Sequence, residues 1–178
     1  MCAWTSRTGG LPPGWGACSV AAGLVCLLVG KCREAALRDA SDLYAEKLAR
    51  LARAEIVTVK DAPASCPPEE KPRREGKDIL AKLAPGWVPV ALDERGETWT
   101  SRELAQRIKA WEDSARTPCF IVGGAFGLSD EVRQRAKEQG ALFSLGRITL
   151  PHELARVVLL EQLYRAASIT KGLPYHHG

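Results

Sequence analysis

From Leu24 onward the chain alternates short apolar runs with amphipathic stretches, and that alternation constrains its fold more than any other feature. "LVCLLVG" is a continuous apolar run of buried-strand length, and the segment after it places Leu37, Tyr44, Leu48 and Leu51 at helical spacing. "EIVTVKD" reads as a second, β-branched strand. "APASCPPEEKPRREGKDILAKL" opens as a proline-rich loop with a charge run and closes as a short helix, while "WVPVALDERG" reads as a strand ending in a turn. "TSRELAQRIKAWEDS" is a helix capped by Thr100 or Ser101, "PCFIVGG" a strand, and "SDEVRQRAKEQG" a helix capped by Ser129 and stopped by Gly140. "ALFSLG" and "ITL" read as short extended pieces before a last helix. Strands alternating with helices predict an α/β fold, a mainly parallel sheet with helices on both faces.

A chain of 178 residues suits one domain with a sizeable core. Its 25 Lys and Arg against 21 Asp and Glu permit a polyanionic partner without demanding one. The six cysteines form no C-x-x-C pair and no Cys/His cluster at zinc spacing, so they read as free thiols in a reducing compartment, with no metal. "ACSVAAGLVCLLVG" is too short to span a bilayer and runs into "KCREAALRD" without a convincing cleavage context, so a cytoplasmic protein with no membrane association is expected. The first 23 residues are rich in Gly, Pro and Trp and show no sustained period. They are expected to be a disordered extension, with the domain proper spanning 24–178.

In parallel sheets, ligands bind beyond the carboxyl ends of strands. That rule selects the turn after "VALDERG", the loop "GGAFGLS" and the segment "SLGRITLPH". Gly123, Gly124 and Gly127 form a GGxxG pattern, which is neither the GxGxxG of dinucleotide folds nor a P-loop with its GK[ST]. Two readings of it stand open, a tight turn into a helix capped by Ser129 and a close backbone approach to a ligand. Gly146 interrupts an extended run, and Pro151 suits a first helical position, so that Thr149 or Leu150 enters the helix with His152 in its first turn. His152 is then either a capping or core-facing side chain or part of a polar ligand site.

The last helix carries Leu154, Val157, Val158, Leu159, Leu160, Leu163 and Tyr164, apolar over most of its circumference, which calls for cover on more than one side. A second subunit is a natural cover. Glu161 and Arg165 are spaced for an intrahelical ion pair. The chain then closes on "GLPYHHG", with Tyr175, His176 and His177 where solvating residues are commoner, which points to a ligand contact.

"FIVGGAFGLS", "ITLPHELARVVLLEQLYRAASITKGLPYHH" and "VALDERGETW" together resemble the ribosomal large-subunit methyltransferase H family, of the SPOUT class of RNA methyltransferases, in order from about Leu24 to Gly178. The resemblance implies an α/β knot, in which the C-terminal chain forms a trefoil that holds S-adenosylmethionine, and a homodimer. It implies cofactor contacts at Leu92, Gly123, Gly124, Leu145, Gly146, Arg147, Ile148, Thr149 and Leu150. It further implies methylation of N3 of a pseudouridine in helix 69 of 23S rRNA on the assembled ribosome. Against that background His176 is expected to assist N3 deprotonation or orient the base, with Tyr175 stacking on or hydrogen-bonding to the nucleotide. Some members of the family have arginine where this chain has His177, so a fixed positive charge from the tail is not expected here.

"KPRREGK", from Lys71 to Lys77, reads either as a phosphate contact or as a solvated helix start, and Arg156 and Arg165 read as structural or interfacial. A Rossmann-like oxidoreductase would need GxGxxG after the first strand, and "LVCLLVGKCRE" has none. A metal hydrolase would need more ligands than His152, His176 and His177 offer. A ribosome-associated RNA-binding module of the same fold, without catalysis, stays as the alternative.

Overall fold

Among residues 23–175, which the computed structural model describes, strands and helices alternate strictly. In chain order they are β1 (Leu24–Val29), α1 (Ala35–Leu51), β2 (Ala54–Val59), α2 (Lys71–Lys82), β3 (Trp87–Thr98), α3 (Ser101–Asp113), β4 (Thr117–Val122), α4 (Asp130–Gln139), β5 (Ala141–Ser144) and α5 (His152–Thr170). The strands form one sheet of order β2-β1-β4-β3-β5, parallel throughout, as the alternation predicts. The extension expected over residues 1–23 falls outside the described residues except for Gly23.

Strand side chains alternate between faces, so each strand feeds two cores. Leu24, Cys26 and Leu28 join Val90, Phe120 and the α5 residues Leu159, Leu160 and Leu163 on one face. Val25, Leu27 and Val29 join Ala91, Ile121, Ile79 of α2 and Val132 of α4 on the other. Every residue of β1 is buried, which its unbroken apolar run requires of a central strand.

The helix caps follow the sequence reading. Thr100 Oγ1 accepts from the Glu103 N–H while Glu103 Oε2 accepts from the Thr100 N–H, a complete capping box at α3. Ser129 caps α4 through the Val132 N–H, and Gly140 ends it.

Three expectations are corrected. The turn after "VPVALDERG" lies inside β3 rather than at its end: Leu92 pairs with Phe143, the register then jumps, and Glu97 pairs with the same Phe143. Residues 93–96 loop out and the strand resumes, with the Gly96 Cα packed so closely on Leu142 that a Cβ would meet backbone at 2.6 Å. "ITL" forms no strand, and Pro151 is the N-cap of α5 with extended backbone, so helical geometry begins at His152 rather than at Thr149 or Leu150.

The start of α5 is tied to the loop after β1. Glu153 accepts from the Arg33 and Glu34 N–H groups, both at 3.1 Å, and from Cys32 Sγ. Arg156, buried, donates to the Val29 and Gly30 carbonyls at 3.1 and 2.7 Å. The Arg33 N–H, the Cys32 thiol and the Glu34 N–H hold the Glu153 carboxyl down at about 2. An unfolded glutamate titrates near 4.3, so this contribution is present above that pH and is lost as pH falls through the folded value. Glu153→Gln is therefore expected to lower the thermal midpoint at neutral pH, with the gap from the parent protein closing as pH falls from about 5. Equal gaps in melts at pH 7 and at the acid end would contradict this role.

Candidate functional site

The register places three loop starts in one row. Ala91 of β3 pairs with Ile121 of β4, and Leu92 pairs with Phe143 of β5. Adjacent strands lie about 4.8 Å apart, so the residues that follow, Gly123 after β4 and Leu145 after β5, leave the sheet within about 10 Å of each other on either side of Leu92. These are the loops the strand-end rule selects, and the sheet edge brings together the cofactor residues implied by the resemblance.

The glycine loop is built by close packing. A Cβ on Gly123 would stand 2.8 Å from the Gly127 carbonyl carbon and oxygen, so the loop crosses over itself there. The Gly127 N–H donates to the Gly124 carbonyl at 3.0 Å, and Gly127 takes φ of +78°, a left-handed turn that favours glycine. The first reading of GGxxG, a tight turn into the Ser129 cap, is the one this geometry realises, with Gly123 and Gly124 both buried.

Gly124 faces α2. A Cβ on it would stand 2.7 Å from Glu75 Oε2 and 3.2 Å from Val29 Cγ1. Glu75 is only 5% exposed; its Oε1 accepts from the Ala62 N–H at 3.0 Å, and its Oε2 has no hydrogen-bond partner. Burial pushes the Glu75 carboxyl upward, against the pull of the Ala62 N–H. The sequence reading missed this residue, because a glutamate inside "KPRREGK" looks like one more solvated charge.

The third loop, 145–150, is open. Nothing lies within 4 Å of where a Gly146 Cβ would stand, and its φ is +141°. Ser144 Oγ holds the bend by donating to the Gly146 carbonyl at 2.7 Å and accepting from its N–H. Thr149 Oγ1 donates to Glu94 Oε2 at 2.9 Å, linking this loop to the excursion of β3. Arg147 is exposed and Ile148 is 68% exposed, an apolar side chain held in solvent, while Leu92, Leu145 and Leu150 are half-buried. Asp93, next to Leu92, accepts from Arg133 Nε at 2.6 Å and Arg95 Nε at 3.0 Å. Burial alone would raise its carboxyl, but the Arg95 and Arg133 hydrogen bonds outweigh it and hold Asp93 at about 2.

Tyr175 packs on α5 rather than on these loops. Its ring meets Tyr164 edge-on at 4.6 Å, Arg165 covers it at 4.8 Å, and its hydroxyl donates to Glu161 Oε1 at 3.2 Å. Glu161 stands nine residues into α5, about 14 Å along the axis from His152. Burial, with Tyr44 and Glu161 nearby, raises the phenol to about 12, so Tyr175 is uncharged at neutral pH. Glu161 also takes the expected ion pair from Arg165, at 2.6 Å. His176 lies outside the described residues, as does His177. Among the described residues no group of three or more His, Cys, Asp or Glu could hold a metal, and no helix is long and apolar enough to cross a membrane.

A parallel α/β sheet with three loops gathered at one carboxyl edge is the arrangement in which ligands of such sheets bind. The family description "Predicted SPOUT methyltransferase" matches residues 23–176, and the chain belongs to that family. It is 49% identical over 150 residues to the "Ribosomal RNA large subunit methyltransferase H" of Maridesulfovibrio salexigens, covering 84% of this chain and 94% of the relative. It is 44% identical over 155 residues to the protein of the same name from Desulfovibrio desulfuricans, covering 86% and 97%. A putative methyltransferase from Legionella pneumophila, solved with its cofactor S-adenosylmethionine, overlaps 82% of this chain and 67% of its own at 16% identity and a TM-score of 0.47.

Proposed function

We propose that this protein is an S-adenosylmethionine-dependent methyltransferase that methylates N3 of a pseudouridine in helix 69 of 23S rRNA, acting in the cytoplasm on the assembled ribosome. The observation that carries the reading is end-to-end similarity to curated ribosomal RNA large subunit methyltransferases H, at 49% identity over 94% of one of them.

The three loops suit the cofactor on their own terms. Gly146 borders open space beside the half-buried Leu92, Leu145 and Leu150, and the absence of a Cβ at the buried Gly123 and Gly124 lets the neighbouring loop fold tightly onto Gly127 and Glu75, so a ligand at this edge would meet the 145–150 backbone and the leucines. Leu92, Gly123, Gly124 and the run Leu145, Gly146, Arg147, Ile148, Thr149 and Leu150 would hold it. When bound, S-adenosylmethionine supplies a methyl group already activated on a sulfonium. The protein's own residues then have two tasks, to align the acceptor and to take its proton, because an imide N3–H is a poor nucleophile until that proton leaves.

His176 takes the second task in this reading, since an imidazole titrates near neutrality. Tyr175, an uncharged phenol, orients the base by stacking or hydrogen bonding. Its distance from its own loops supports a homodimer in which the tail serves the partner's loops. The half-buried Leu154, Val157 and Val158 of α5 give such a dimer an apolar face. A trefoil knot formed by the C-terminal chain is part of the same proposal.

The test offers labelled methyl donor with three substrates: intact ribosomes lacking the modification, free large subunits, and ribosomes lacking the pseudouridine. Label on the first alone is expected. Equal label on free subunits would overturn the requirement for an assembled ribosome. No label anywhere, with cofactor binding intact, would leave an RNA-binding module that has lost catalysis.

A further inference from the structure

The tip of the glycine loop carries an aromatic ring that the cofactor reading does not use. Phe126 is 49% exposed, one of four large apolar side chains so exposed among the described residues. It lies two residues beyond Gly124, no more than about 7 Å along the chain. The Lys71 ammonium stands 5.1 Å from the ring centroid, a cation–π contact that fixes the phenyl group against the first turn of α2.

Helix α2 is locked to this loop at two further points. Gly76 packs on Ser129 without room for a Cβ, and Glu75 abuts Gly124. From the ring, α2 leads away with Arg73, Arg74 and Lys77 exposed; they line a surface groove together with Glu70 and Asp78. Of the two acids within α2, Glu75 is buried, so the exposed Arg73, Arg74 and Lys77, with the half-exposed Lys71 and Lys82, outnumber the acids around them, Glu70, Asp78 and Glu131, the last close to Arg73 and Lys77.

We propose that Phe126 and the basic face of α2 form a landing surface for single-stranded RNA, one unpaired base stacking on the Phe126 ring and the flanking phosphates resting on Arg73, Arg74 and Lys77. The proposal deepens the rRNA methyltransferase reading and rests on it for the choice of RNA. An exposed phenyl ring is a costly surface residue for a soluble chain, but it offers every base a π-face. Basic side chains beside it neutralise the backbone, and proteins recognise looped RNA through unstacked bases of this kind. Its position next to Gly124 puts the stacked base beside the loop that would hold the methyl donor. Phe126 is thus a positioning residue for the acceptor strand rather than a catalytic one.

The experiment measures affinity for intact ribosomes and for a labelled RNA hairpin with a single-stranded loop, beside methyl transfer, cofactor affinity and association state. Phe126→Ala is expected to weaken RNA binding and raise KM for ribosomes about ten-fold, with Phe126→Trp near the parent protein and cofactor affinity unchanged. Arg73→Gln with Lys77→Gln, which removes two phosphate contacts, is expected to flatten the salt dependence of RNA binding by about 1.4 units of log–log slope. Unaltered RNA binding in Phe126→Ala overturns the proposal, as does a change in association state, which would make the ring a subunit contact. RNA binding that depends on Phe126 in a protein that transfers no methyl would uphold the surface and overturn the enzyme reading instead.

Discussion

Gly123→Ala is expected to lower methyl transfer at least about 100-fold and to weaken cofactor binding with it, because roughly 1 Å of misplacement at a reacting centre is enough for that loss. The new Cβ would stand 2.8 Å from the Gly127 backbone, and carbon contacts need about 3.5 Å, so the loop must open. Backbone cannot rotate away as a side chain can. Gly124→Ala meets Glu75 Oε2 instead, the end of a side chain, at 2.7 Å. Truncating that side chain gives the methyl group room, so Gly124→Ala in a Glu75→Ala background should cost less than in the parent, a non-additivity that a double-mutant cycle reads directly. Gly123→Ala should gain nothing from Glu75→Ala. His176→Ala, by contrast, is expected to lower kcat while leaving cofactor affinity in place, since its proposed task is the proton and not the donor. Isothermal titration with the cofactor beside single-turnover transfer separates the two patterns, and full affinity in Gly123→Ala would remove the glycine loop from the cofactor site.

Gly140→Ala carries the largest expected effect on stability. A Cβ at Gly140 would overlap the Pro89 carbonyl oxygen and stand 2.8 Å from its carbon and 3.1 Å from its nitrogen. Pro89 belongs to β3, which is paired to β4 on one side and β5 on the other. A proline in such an interior strand is tolerated here because the β5 ladder begins only at Val90 and Ala141, so no partner waits for the missing N–H. Its nitrogen and carbonyl face Gly140 instead. With β3 held from both sides, the clash cannot relax cheaply, and a cost of about 3 kcal/mol, the upper end for overpacking, is expected. In urea that lowers the unfolding midpoint by roughly 1–3 M with an unchanged slope. An unmoved midpoint would mean that the α4–β5 connection yields more readily than its packing implies.

Much of this fold was legible because local signals agreed with one another. The apolar run of β1, the cap at Thr100 or Ser101, and the Ser129 cap with Gly140 at the far end each specify their element within a few residues. The strand-end rule then found the three loops without any knowledge of the strand order. What stayed hidden depends on contacts far apart in sequence. The resumption of β3 at Glu97 is decided by Phe143, and the burial of Glu75 by Ala62 and Gly124. Pro151 looked like a first helical residue but stands as the extended N-cap, and the contacts of Glu153 and Arg156 with the β1 loop, more than a hundred residues away, left no local trace. The tail's residue types pointed to a ligand contact, whereas the specific task proposed for it rests on family resemblance alone, since Tyr175 docks on α5 of its own chain and His176 lies outside the described residues.

The central claim is that this chain moves a methyl group from S-adenosylmethionine to N3 of one pseudouridine. The most direct measurement incubates the purified full-length protein with unmodified ribosomes and the cofactor, digests the 23S rRNA to nucleosides, and identifies the product by mass spectrometry against synthetic standards. The account predicts a gain of 3-methylpseudouridine, approaching one per ribosome and mapping to helix 69. A methyl group on N1, on a uridine or at another site, or no methylated nucleoside despite bound cofactor, would contradict it.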